Sequence, residues 1–170
     1  TMIHSKATDL HAKPGSLVDY SENLLVHFRR IEDLKNLALG YPTIELNSRQ
    51  LCDLELLLNR AFYPLSGYLS RKDYESVLDA MRLADGTVWP IPSCLDINQK
   101  TAKTLVPGQP IALQDEEGFL LAILNIDDIW QPDKKKEARC IFGTEDHKVH
   151  PGVRYLYEGV GNWYIGGSLE

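Results

Sequence analysis

No run of eighteen apolar residues, the length a helix needs to cross a bilayer, occurs in this 170-residue chain. The first fifteen residues are polar where a secretory leader needs an apolar centre, so neither a membrane partner nor a signal peptide is expected, and the expected location is the cytoplasm. Cysteine is scarce: Cys52, Cys94 and Cys140 are odd in number, far apart and without a Cys-x-x-Cys. That pattern argues against a disulfide framework and a zinc site, and fits a reducing compartment. An excess of positive charge is missing too. Eighteen Lys and Arg stand against 24 Asp and Glu, a net charge of -6, so the field that draws proteins to phosphate backbones is absent and nucleic acid is a poor candidate partner. The densest basic run, Lys134-Lys135-Lys136, sits between Asp133 and Glu137 and reads as a solvated loop.

Catalytic signatures are equally sparse. There is no Gly-x-Ser-x-Gly elbow, no Walker loop and no dinucleotide fingerprint, and Gly166-Gly167 follows a strand with no helix after it. His147 and His150 are three apart, but Pro151 disfavours helix at His150, so loop histidines held by backbone hydrogen bonds are expected rather than metal ligands. Asp127-Asp128 and Glu116-Glu117 are sequence neighbours that a strand would send to opposite faces, so neither is an acid/base pair. Cys52 lies on a leucine-rich helix and is expected in the core, and Arg49 with Asp53 forms an i,i+4 pair. From the residues alone no catalytic, cofactor or metal site is expected.

What is present is a change of period. From Leu24 to Leu39 apolar residues recur every three or four positions, the spacing of a helix. A second helix follows an Asn47/Ser48 cap with Leu51, Leu54, Leu57 and Leu58 on one stripe, and Pro64 closes it. A third begins at Ser70, with Asp73 at the capping-box position and Tyr74, Val77, Leu78 and Met81 on one face, and ends at the Asp85-Gly86 turn. Beyond Thr87 strands are expected: Val88 to Ile91, Leu95 to Ile97, a hairpin of Ile111–Leu113 and Phe119–Ile126 around Asp115-Glu116-Glu117-Gly118, a short strand over Ala138–Phe142, and Asn162–Ile165 ended by Gly166-Gly167. Helices followed by strands predict an α+β fold, not a doubly wound one.

The order of "SRQLCDLELLLN", "PLSGYLSRKDYESVLDAMRLADGTVWPIP", "FGTEDHKVHPGV" and "YIGGSLE" resembles the N-terminal, PUA-like domain of ATP sulfurylases (sulfate adenylyltransferases). The likeness spans about Leu46 to Glu170, with residues 1–45 as a helical lead-in packed on the domain. It implies an α+β fold built on a small mixed or antiparallel β-barrel with flanking N-terminal helices. The family usually places glycine where this chain has Arg60; if that position needs a positive φ, Arg60 carries a steric cost glycine avoids.

In that family a Gln-x-Arg-Asn-Pro motif with a nearby His-x-x-His, and a later Gly-Arg-Asp-His-Ala-Gly-type loop, carry the nucleotide and sulfate chemistry. Neither that combination nor that loop occurs in residues 1–170. The resemblance therefore implies a piece of an enzyme that joins sulfate to ATP, giving adenosine 5′-phosphosulfate and pyrophosphate with magnesium. ATP and magnesium would belong to a catalytic nucleotidyltransferase domain in the same polypeptide, beginning just after Gly167, and the chain alone is expected to be inactive. Fusion to an adenylylsulfate kinase and assembly into a homo-oligomer are left open. His150-Pro151-Gly152 and Gly166-Gly167 have two readings, structural turns or surfaces facing the catalytic domain. The competing reading of the whole is a stand-alone PUA-like module binding RNA, a nucleotide or a sulfur metabolite, which would expose aromatics such as Tyr155, Tyr157 or Trp163 in a basic groove.

Overall fold

The computed structural model describes residues 24–170. The part of the lead-in before Leu24 lies outside the described residues. Helix α1 (Phe28–Ala38) opens on His27, whose side chain accepts from the Arg29 N–H, and buries Leu34 and Ala38. After strand β1 (Thr43–Glu45) comes α2 (Ser48–Leu58), started by a full capping box in which Asn47 and Gln50 each satisfy the other's backbone N–H. A two-residue strand β2 (Gly67–Tyr68) leads to α3 (Arg71–Ala80), capped by Ser70 with its hydroxyl accepting from the Asp73 N–H at 3.2 Å. Strand β3 (Leu95–Ile97), the one-turn α4 (Gln99–Ala102), the hairpin β4 (Pro110–Gln114) and β5 (Leu120–Trp130), helices α5 (Lys134–Phe142) and α6 (Pro151–Glu158), and β6 (Trp163–Leu169) complete the chain.

The six strands form one sheet in the order β1-β4-β5-β6-β2, with β3 also paired to β6. β1 runs parallel to β4 and the other pairs are antiparallel. The fold is α+β as expected, but the sheet is not closed into a barrel. β1 has three residues, and β2 and β3 divide the outer side of β6 between them, Gly67 opposite Ser168 and Leu95 opposite Ile165. Neither margin offers the long, continuous ladder that closure around a ring requires. The main core lies on one face, where Leu54 and Leu57 of α2 and Tyr74 and Val77 of α3 pack on Leu95, Ile111, Leu113, Leu124 and Ile165. The other face is smaller: α1 sets Leu34 and Ala38 on Ala112 and Ile123.

Four expectations are corrected. Val88 to Ile91 is not a strand: one bridge, Arg82 to Val88, is all that pairs, because Pro90 and Pro92 lack donors for a ladder. Ala138–Phe142 is the second half of helix α5, started by the Asp133 carboxylate accepting from the N–H groups of Lys135 and Lys136 and stopped by left-handed Gly143 at φ 71°. The structural-turn reading of His150-Pro151-Gly152 misses α6, where Pro151 occupies the first turn, the one place in a helix that does not need its missing N–H. β6 does not stop at Gly166-Gly167 but runs through both to Leu169.

Arg60 does adopt a positive φ of 69°. Its guanidinium lies 4.9 Å from the Tyr63 ring centroid and donates to the Leu65 carbonyl at 3.2 Å, contacts that offset part of the left-handed strain. Arg60→Ala keeps the strain and removes the contacts, and is expected to cost about 1 kcal/mol in urea denaturation. Arg60→Gly removes both and is expected to lie within about 0.5 kcal/mol of the parent.

Candidate functional site

Charged side chains converge below the surface in one layer, between the sheet and helices α2, α3, α5 and α6. Asp96, the middle residue of β3, is buried, and both carboxylate oxygens are engaged. Oδ1 forms an ion pair with the Arg49 guanidinium and accepts from Gln50 Nε2 at 2.9 Å; Oδ2 accepts from the Gly161 N–H at 2.7 Å. Arg49 also holds Asp53 at 2.7 Å and donates from Nε to the Tyr155 hydroxyl at 3.0 Å, its guanidinium 6.0 Å from the centre of that ring. Partial burial works against the Arg49 charge, yet Asp96 and Asp53 outweigh it and hold the guanidinium above its ordinary value. One arginine thus joins α2, β3 and α6.

Glu137 of α5 is the second centre. Buried at 6% exposure, it accepts through Oε2 from the hydroxyls of Tyr74 at 2.8 Å and Tyr164 at 2.9 Å. The two tyrosine rings stand edge to face, 5.7 Å apart. Burial raises the Glu137 carboxyl, against the opposing pull of both hydroxyls and of Lys134. Lys134 is no member of a solvated loop: its ammonium donates to the Leu156 carbonyl at 2.8 Å and the Val160 carbonyl at 2.6 Å, satisfying oxygens near the end of α6. Burial in turn lowers the Lys134 ammonium. A cavity of about 80 Å³ lies between the two centres, bordered by Arg49, Cys94, Asp96, Glu137, Tyr155 and Tyr164.

The polar groups of this layer are engaged mainly with one another, Asp96 with Arg49 and Glu137 Oε2 with two tyrosine hydroxyls. Asp96 has both oxygens engaged, and burial pushes the Cys94 thiol up, which keeps it a neutral, poor nucleophile. Among the described residues no group of three or more His, Cys, Asp or Glu is arranged to hold a metal ion. The layer fastens four helices to the sheet.

A raised carboxyl favours the folded state while protonated. The Glu137 contribution is therefore complete below its ordinary value of 4.5 and is lost as pH rises through the higher folded value. Glu137→Gln keeps an acceptor for both tyrosine hydroxyls and removes that titration. Relative to the parent, the variant is expected to gain stability as pH goes from about 4 to 8 in urea midpoints, the sign that burial rather than pairing dominates.

The residues singled out earlier fall on separate elements. His150 caps α6, its Nδ1 accepting from the Gly152 N–H at 3.1 Å, as a backbone-bonded histidine should; its ring lies 4.9 Å from that of Phe142. Pro151 beside it is exposed, and Val149 is 78% exposed. Gly166 and Gly167 are buried within β6, neither in a turn nor on an outer surface. Tyr155 is held by Arg49, and the Tyr157 hydroxyl is buried. Cys52 is exposed, on the flank of α2 rather than its buried stripe. Asp128, paired with Asp127 in sequence, instead accepts from the Arg71 N–H at 3.0 Å at the start of α3. Reading the sequence found the Arg49–Asp53 pair and missed Asp96, Glu137 and Lys134; the polar centre of "LDI" was the one available signal.

Residues 16–170 match the family model described as a PUA-like domain, and the match runs through Leu169 and Glu170. Sulfate adenylyltransferase of Kluyveromyces lactis is 48% identical over 125 residues, 74% of this chain and 24% of that protein. Those of Aspergillus fumigatus and Schizosaccharomyces pombe are 44% and 43% identical over 83% and 82% of the chain, and 25% and 29% of their own lengths. The chain thus spans about a quarter of the length of these relatives. A solved structure, "Hexameric APS kinase from Thiobacillus denitrificans", is 30% identical with a TM-score of 0.66, over 88% of this chain and 24% of that one. With this fold and a family match over nearly its whole length, the chain belongs to the PUA-like domain family, in the form carried by sulfate adenylyltransferases.

Proposed function

We propose that the chain is the N-terminal, noncatalytic domain of a cytoplasmic sulfate adenylyltransferase, the enzyme class that turns ATP and sulfate into adenosine 5′-phosphosulfate and pyrophosphate. One observation carries this: identity of 43–48% to sulfate adenylyltransferases that covers most of the chain but only 24–29% of each relative. The polar layer supports it, since Arg49 is taken by Asp53 and Asp96, and Asp96 by the Gly161 N–H as well. ATP and magnesium would be bound by a catalytic domain in the same polypeptide, and this domain would give that one a folded base and a share of any oligomer contact. Of the four residues considered for a domain surface, His150 and exposed Pro151 stand where they can serve. The test is pyrophosphate release from ATP, sulfate and magnesium. No release above buffer is expected from the 170-residue chain and full activity from the longer polypeptide; turnover by the short chain overturns the proposal.

A further inference from the structure

Between α1 and β5 lies an apolar groove of about 360 Å³, walled by Val26, Ile31, Leu34, Leu121 and Ile123, with Glu170 at its edge. Ile31 and Leu121 are 39% and 38% exposed. The pairing of β6 on β5 points along this groove. Leu169 sits opposite Leu124, and Glu170 exchanges both backbone hydrogen bonds with Ile123, at 2.6 and 2.8 Å. β5 continues to Leu120: Ala122 and Leu120 pair with Leu113 and Gln114 of β4, the register shift between those pairs leaves Leu121 as the extra residue of a bulge, and among the described residues no strand lies on the β6 side of this stretch. Glu170 makes an ion pair with Arg30 of α1, which sets its side chain on the α1 face together with Ile123. Side chains alternate along a strand, so the next residue of an extended β6 would face the main core beside Ala122, and the one after it would face the groove.

We propose that the polypeptide following Glu170 continues β6 antiparallel along Ala122 to Leu120 and seats an apolar side chain, two residues beyond Glu170, in the groove between α1 and β5. The proposal rests on the reading of the chain as part of a longer enzyme. It would make the interdomain connection a shared strand instead of a free linker.

Amide hydrogen exchange on the 170-residue chain and on the longer polypeptide tests it. Exchange at Leu120 and Leu121 is expected to slow at least about tenfold in the longer protein, while Ala122, whose N–H faces Leu113 of β4, is expected to stay as it is. Ile31→Asp, which puts a carboxylate in the groove wall, is expected to abolish that gain and leave Ile111 and Ile165 unchanged. Equal exchange in the two proteins, or a charged residue two positions beyond Glu170 in the gene, overturns the inference while leaving the sulfate adenylyltransferase reading intact. A stop codon after Glu170 overturns both. Protection already present in the short chain that depends on residues 1–23, or on protein concentration, assigns the groove to the lead-in or to a second copy and also overturns it.

Discussion

Gly166→Ala is expected to destabilise the chain by at least about 3 kcal/mol, and to leave most of it unfolded if the parent is only marginally stable. A Cβ at this position would overlap the Leu69 carbonyl oxygen and lie 2.8 Å from its carbon and 2.9 Å from the Ser70 Cα. These are backbone atoms, held by the Leu69 N–H donating to the Ser93 carbonyl at 2.9 Å and by the Ser70 cap of α3, so no rotamer change relieves the clash. The segment after β2 must separate from β6 to admit one methyl group, and the start of α3 moves with it. Gly167→Ala meets the Asn125 carbonyl of β5 and is expected to behave alike, whereas Ser168→Ala, at the next and exposed position of the same strand, is expected to stay within about 0.5 kcal/mol. Urea midpoints at constant m-value are the measurement; a stable Gly166→Ala with an unchanged near-ultraviolet spectrum would show that the β2–β6 approach is looser than described.

Asp96→Ala is expected to cost about 3–5 kcal/mol, because it strands several partners at once. The Gly161 N–H loses its acceptor, Gln50 Nε2 keeps only the backbone carbonyl of residue 96, and Arg49, only about a third exposed, is left with Asp53 as its one carboxylate. Asp96→Asn keeps the shape and one acceptor oxygen and is expected to lose less. The double variant Arg49→Leu/Asp96→Leu removes both charges and is expected to be more stable than Asp96→Ala, since most of the single-variant loss is the penalty of an unanswered charge. A double-variant loss equal to the sum of the Arg49→Leu and Asp96→Leu losses would show that the two residues act independently, against the direct ion pair.

Local chemistry explains which elements were legible. Asn47 and Ser70 are short polar residues ahead of apolar stripes, and both became N-caps because their side chains reach the orphan N–H groups of the first turn. The Asp115-Glu116-Glu117-Gly118 hairpin formed because Gly118 can take φ 86° while Asp115 accepts from the N–H groups of Glu117 and Phe119. Helices α5 and α6 were hidden because each is under ten residues long, and their caps, Asp133 and His150, sit next to prolines that also signal a break.

By itself, then, the sequence determined the α+β class, the caps and turns, and the likeness to ATP sulfurylases, because each rests on neighbours within a few residues or on the order of whole segments. Only the tertiary structure decided that the sheet stays open, that Gly166 and Gly167 are points of backbone contact, and that Asp96 and Glu137 are the buried hubs. Asp96 meets Arg49 across 47 positions and Gly161 across 65, and Glu137 meets Tyr74 across 63. No local period encodes such distances. They arise when β3 and β6 pair and the helices close over them, and burial then makes each of those polar contacts obligatory.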